Sequence, residues 1–235
     1  MSARSPKIQL ESIGTNKMAE FYSDAQRQVQ DAFGTRPLAD RVVELIVHDT
    51  LTPEDQGFIE SRDMFFLATV DANGSPTVSY KGGTQGFVRA LDPQTLVFPA
   101  YDGNGMFLSM GNASQTGEIG MLFMDFETPH RLRVQASAEV STDDPLMAEF
   151  PGAKMIVRAK IKEIFINCPR YIHKHKKLDT SVYAPRAGHT PPMPSWKRID
   201  LVQDVLPEAD KPAVAAAGGP ISFDEYAEKV KGGEG

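Results

Sequence analysis

The most constraining feature of the 235-residue sequence is a series of strand-length segments from Phe65 onward, punctuated by short turns. The stretch "FFLATVDANGSPTVSYKGG" holds two β-rich runs around "DANG", whose Asn-Gly step allows the positive φ angles of a tight hairpin. "QGFVRALDPQTLVFPA" repeats the scheme with "LDPQ" as its turn. "GEIGMLFMDF" and "HRLRVQASAEV" make a further pair joined by "ETPH", and "KMIVRAKIKEIFIN" alternates apolar and charged positions over its first half. Together they predict six antiparallel strands, and strands at such short spacing close into a barrel to remove their edges.

Helical patterns flank this β region. Met18, Phe21, Tyr22, Ala25, Val29, Ala32 and Phe33 recur at three- and four-residue steps, and Gly34 follows as a stop. "PLADRVVELIVHD" predicts a second helix, and Thr52 with Pro53 and Asp55 predicts the start of a third that runs to about Glu60. Inside the β region, "GNGMFLSMGN" predicts a helical turn after the fourth strand, and "STDDPLMAEFPG" a helix capped by Thr142 before the last. After Leu206, "PEADKPAVAAAGGP" reads as a flexible linker, and Ser222 with Glu225 makes a capping-box start for "FDEYAEKVK". The expected fold is mainly β (α+β), divided into an N-terminal helical extension over 1–57, a barrel domain over 58–206, and a linker and helix over 207–235.

Charge narrows the partners. A net charge of −6 with no long basic run argues against nucleic acid and against an anionic membrane, and favours a small-molecule ligand. The amino end "MSARSPKIQLESIG" lacks a signal-peptide core, and no apolar run approaches roughly 18 residues, so the expected location is cytoplasmic. A single cysteine, Cys168, rules out an intrachain disulfide framework.

Between about 58 and 175 the chain resembles the pyridoxamine 5′-phosphate oxidase-like superfamily of FMN-binding split β-barrels. "FFLATVDANGSPTVS" is similar to the family's opening hairpin, "TLVFPAYDGNGMFLSMGN" to its strand-then-helix phosphate loop, and "EIGMLFMDFETPHRLRVQASAEV" to its paired strands ending in an Arg-rich segment. "NCPRY" after the last strand resembles one branch of the group. The resemblance implies a six-stranded split barrel, a flavoprotein oxidoreductase acting on a small molecule, and a homodimer with the flavin at its interface. Where the oxidase proper has Ser-Arg-Lys, this chain has Gly103, Asn104 and Gly105, which points away from the vitamin B6 oxidase activity itself.

The resemblance also implies the binding residues. Ser79 and Lys81 alternate on the second strand, so they share a face, and they stand where the family presents phosphate-binding groups, with Tyr80 between them. Gly103 and Gly105 allow close approach of the backbone, Asn104 can donate through its amide, and Tyr101 and Met106 flank them. Such a loop suits a dianionic phosphate. Arg131 and Arg133 share a face of "PHRLRV"; the resemblance places a flavin-contacting polar group there, while the residues alone equally allow ion pairs with Asp125 and Glu127. Trp196 and Arg198 resemble a late Trp and Arg that reach the flavin in the oxidase.

No catalytic residue is read, because the flavin ring carries the electrons and the protein supplies orientation. Alternatives to FMN are the deazaflavin F420, bound by related barrels in much the same groove, and a haem-binding or non-catalytic flavin-binding barrel, with His173 or His175 as the haem ligand. A metal site at Cys168, His173 and His175 is not expected, since no well-spaced carboxylate completes it, and Cys168 reads as a packed small hydrophobe.

Overall fold

The computed structural model describes residues 21–233; Met18 lies outside the described residues. Among the described residues three helices precede the sheet: α1 (Asp24–Ala32), α2 (Arg36–Ile46) and α3 (Pro53–Glu60). Ser23 and Gln26 form a capping box at α1, and Thr52 and Asp55 form one at α3, where Pro53 occupies the first turn and needs no N–H partner. Val43 and Val47 pack α2 against Phe165 of the last strand, and Ile59 of α3 enters the main core.

The sheet carries seven strands, one more than the six expected: β1 (Met64–Val70), β2 (Pro76–Gly82), β3 (Arg89–Asp92), β4 (Thr95–Tyr101), β5 (Glu118–Asp125), β6 (His130–Ser141) and β7 (Ala153–Ile166). The segments quoted from the sequence themselves number seven, so the expected total of six is one short of them; β3 is the first run of "QGFVRALDPQTLVFPA", four residues long and paired with β4 across a register shift. All pairings are antiparallel, and the order β2-β1-β5-β6-β7-β4-β3 leaves β2 and β3 as edges, so the barrel is split. Its inner face buries Phe65, Leu67, Phe98, Met121, Phe123, Leu132 and Ile164 in one cluster. Fully burying each such side chain contributes about 1.5–3 kcal/mol, so this inner row fixes the register on which the site depends.

Helix α4 (Leu108–Thr116) follows β4 and packs on β1, β2 and β6. The turn before β7 is a 3₁₀ helix, Pro145–Glu149, capped by Asp144 rather than Thr142. Pro145 sets the helix start, which puts the carboxylate beside it over the Leu146 N–H and within 2.6 Å of Arg158. Beyond β7 the chain runs as coil to 3₁₀ turns at Ser195–Arg198 and Asp200–Val202. The segment read as a flexible linker contains helix α5 (Lys211–Ala216), whose Val214 is buried; helix α6 (Phe223–Lys231) follows, capped by Ser222 and Glu225. No helix among the described residues is long and apolar enough to cross a membrane.

Candidate functional site

The β1–β2 register sets Ser79 opposite Leu67 and Lys81 opposite Phe65. Directly opposed residues share a face, so Thr77, Ser79 and Lys81 extend the inner, apolar row of β1 with polar groups on the edge strand. Helix α4 lies over this row. Asn112 Nδ2 donates to Thr69 Oγ1 at 3.2 Å and Thr77 Oγ1 at 3.3 Å, and the two threonine hydroxyls are 2.8 Å apart. The Ser79 and buried Ser109 hydroxyls meet at 2.9 Å. These contacts dock α4 at the open edge of the barrel.

Between β2 and the loop from β4 to α4 lies a cleft of about 540 Å³. It is lined by Ser79, Tyr80, Lys81, Tyr101, Gly103, Asn104, Gly105 and Met106, eight of the positions singled out from sequence. The Lys81 amine has no hydrogen bond or ion pair among the described residues, and partial burial pushes it below the usual lysine value with no anion to offset the loss of water. Burial likewise raises the Tyr101 phenol, against a smaller opposing effect of Arg89.

The loop is shaped for close approach. Gly105 has φ +78°, and nothing lies within 4 Å of a Cβ built at Gly103 or Gly105. Asn104 lines the cleft, and its Oδ1 accepts from the Met106 N–H at 3.1 Å, which leaves its amide N–H groups available to donate. Phe107 takes a left-handed conformation at φ 49° at the start of α4, where no side chain caps the helix. A left-handed non-glycine residue costs about 1–3 kcal/mol and clusters at ligand clamps. The uncapped N–H groups of the first turn give the cleft a positive pole.

A second hollow of about 950 Å³ adjoins the first, with Tyr80, Gly82, Tyr101 and Asp102 common to both. The segment from His175 to Pro185 forms its far wall, held by Lys177 on Asp63 and by His175, whose ring stacks on Phe126 at 5.2 Å. Arg62 pairs with Asp125 at 3.1 Å on its floor.

The other four candidates lie outside both hollows of this chain. Arg131 and Arg133 project from the outer face of β6. Arg131 donates to the Cys168 carbonyl at 2.9 Å, and its Nε is buried without a partner among the described residues. Asp125 takes Arg62 instead of either arginine. Trp196 sits in the first late 3₁₀ turn, and Arg198 donates to the Gly219 carbonyl at 2.8 Å, which ties that turn to the carboxyl end. Cys168 is exposed rather than packed, because the chain leaves β7 as coil two residues earlier. The Arg170 N–H and guanidinium hold its thiol below the usual value. No cluster of three metal-ligating side chains occurs among the described residues.

Two structural partners were not visible in sequence. Ser109 completes the hydroxyl pair with Ser79, and Lys197, 95 residues from Asp102 along the chain, sets its amine 2.6 Å from that carboxylate at the base of the loop.

The model of the family described as pyridoxamine 5′-phosphate oxidase matches residues 51–176. No curated protein sequence matches the chain. Among solved structures, a Lactobacillus delbrueckii protein provisionally described as a pyridoxamine 5′-phosphate oxidase is 28% identical, covering 50% of this chain and 95% of its own at a TM-score of 0.42. An FMN-binding protein from Syntrophomonas wolfei is 15% identical, over 60% of this chain and 97% of its own, at 0.37. The haem storage protein HutZ from Vibrio cholerae is 22% identical, over 50% and 94%, at 0.38. At TM-scores of this size, function rests on the family match and on the site's own geometry.

Proposed function

The chain belongs to the pyridoxamine 5′-phosphate oxidase family, and from that premise we propose that it is an FMN-dependent oxidoreductase whose flavin phosphate is held in the Lys81 cleft. The observation that carries the reading is Lys81 itself: a lysine ammonium on the inner row of an edge strand, desolvated and without a partner among the described residues. The side chain is half-buried, and a charge partly withdrawn from water is favoured by an opposite charge. The cleft supplies the rest of a phosphate's needs from this chain: the Ser79 and Ser109 hydroxyls, the Asn104 amide, backbone exposed at Gly103 and Gly105, and the uncapped start of α4.

When bound, the flavin supplies the electron-transfer chemistry, and the chain supplies binding, orientation and electrostatics. Lys81 neutralises phosphate charge. Tyr80, Gly82, Tyr101 and Asp102 carry the cleft into the larger hollow, giving a ring system room beside the phosphate end.

A homodimer belongs to the same proposal. Tyr80, Phe66, Leu122 and Arg133 stand in register across β2, β1, β5 and β6 on the outer face, with Val78, Ala68, Gly120 and Gln135 as the next row. Val78 is 70% and Tyr80 62% exposed, and Met106, Phe107 and Leu108 are exposed beside them. Ala68 and Gly120 keep the middle of this face low, so a second copy can approach closely, cover the apolar row and wall the flavin groove. Arg131 and Arg133 lie on the covered face, where they meet the partner's groove rather than their own.

The test is a flavin fluorescence titration combined with sedimentation velocity. FMN is expected to quench stoichiometrically and to lower the dimer dissociation constant by mass action. Absence of quenching at tens of micromolar FMN would overturn the proposal, and bound haem in place of flavin would redirect it.

A further inference from the structure

Asp102 is an awkward neighbour for a phosphate site. It directly precedes the Gly103-Asn104-Gly105 turn, lines both hollows, and its side chain is 46% exposed. A free carboxylate there would repel a dianion and offset Lys81. The structure answers with Lys197 from the late 3₁₀ turn, whose side chain is only 8% exposed and whose amine lies 2.6 Å from Asp102 Oδ2 and 3.0 Å from Asp210 Oδ2.

We propose that Lys197 is a positioning residue for the phosphate cleft: it draws the Asp102 carboxylate toward the C-terminal segment and offsets its charge, so that the loop can accept a dianion. The proposal rests on the flavin-phosphate reading above. Burial alone would weaken the Lys197 ammonium, yet the two carboxylates more than offset this and hold its pKa above the usual lysine value, so the cation persists at neutral pH. Its backbone is fixed as well, with the Lys197 N–H on the Pro194 carbonyl and the Gln203 amide donating to the Lys197 carbonyl at 2.9 Å. The amine is therefore delivered to Asp102 by a rigid turn.

A lysine that merely pinned the C-terminal segment to the loop would make every break in the cluster equivalent. Offsetting the Asp102 charge does not. Removing Lys197 leaves Asp102 bare beside the cleft, whereas removing the Asp102 charge leaves Lys197 satisfied by Asp210 and the cleft more positive.

Four variants separate the two: K197M, which keeps the apolar stem, D102N, D210N and the double variant K197M/D102N. Each is titrated with FMN and with riboflavin, and inorganic phosphate is followed by thermal shift. K197M is expected to raise the FMN dissociation constant at least about tenfold and that of riboflavin less than about threefold. D210N should stay within about threefold of wild type, D102N should bind FMN as well or better, and the double variant should return to within about threefold. Unchanged FMN affinity in K197M, a D102N loss as large as that of K197M, or failure of the double variant to recover would each overturn the proposal. If circular dichroism shows K197M unfolded, D102N decides alone: retained or tighter FMN binding supports the proposal, and weaker binding overturns it. Wild-type protein that binds phosphate but not FMN would overturn the flavin reading only, and the same ranking read with phosphate then decides Lys197. Wild-type protein that binds neither overturns both.

Discussion

Replacing Lys81 by Met separates the ammonium from its stem. In the free protein the charge has no partner among the described residues, and burial lowers its pKa. The sign follows from linkage: a lysine whose folded pKa lies below its unfolded value binds fewer protons when folded, so stability rises as pH climbs from the folded value toward the unfolded one. Holding the charge at neutral pH therefore opposes folding. Lys81→Met removes that opposition, and the ligand-free variant should melt at the same temperature as wild type or higher, with a flatter rise of stability toward alkaline pH. Ligand binding moves the other way. A charge-assisted contact to a phosphate contributes about 1.5–3 kcal/mol, a loss of about ten- to a hundredfold in FMN affinity. Riboflavin, which lacks the phosphate, should change less than about threefold. Fluorescence titration with both ligands and thermal melts across pH check the pair of effects. Equal losses for FMN and riboflavin, or a free variant that melts several degrees lower, would refute the reasoning by showing that Lys81 serves the fold.

Val78→Glu places a charge in the middle of the outer row of β2; sedimentation velocity should show the dimer dissociation constant raised at least about tenfold, FMN affinity falling with it, and far-UV circular dichroism unchanged. Ser109→Ala removes the hydroxyl that faces Ser79 at 2.9 Å; denaturant unfolding should register a loss of about 1 kcal/mol, and FMN should bind severalfold more weakly. Asp55→Asn tests the helical preface. Burial pushes the Asp55 carboxyl up, but the Thr52 N–H and hydroxyl and the His48 ring more than offset this and hold it below the usual carboxylate range. Its contribution is present above the unfolded carboxylate pKa and disappears as pH falls through the lower folded value. Melts should therefore show the variant destabilised by about 1–2 kcal/mol at neutral pH, with the gap closing in acid.

What the sequence disclosed tracks how local the determining contacts are. The Thr52–Asp55 and Ser222–Glu225 caps were readable because donor and acceptor lie three residues apart. Thr142 was a reasonable cap by type, but Pro145 dictates a start beside Asp144, and the distant Arg158 secures that choice. Strand β3 was marked by the "LDPQ" turn that separates it from β4, although its four residues, bounded by a register shift, carry little alternation of their own. Asn112 docks α4 on Thr69 and Thr77, 43 and 35 residues away, and Lys197 reaches Asp102 across 95; no window of sequence contains both members. Arg198 illustrates the converse. The resemblance suggested a flavin contact for it, and no local pattern announced that its Nε donates to the Gly219 carbonyl, where two consecutive left-handed glycines turn the chain back.

The inner row of β2 shows where polar groups run out of partners among the described residues. As an edge strand it has β1 on one side alone, so polar side chains on its inner face must find partners from above. Thr77 closes on Thr69 and Asn112, and Ser79 meets Ser109, a pair that uses one hydroxyl proton and keeps the other. Lys81, two residues further along the same face, finds none among the described residues, and there α4 gives way to the glycine turn. The row thus passes from satisfied to unsatisfied at the point where the wall changes from side chains to open backbone N–H groups. A packed core would place an apolar residue at such a position, since even a half-buried charge without a partner opposes folding. A lysine stands there instead, and under the proposed function its hydrogen bonds go to the flavin phosphate.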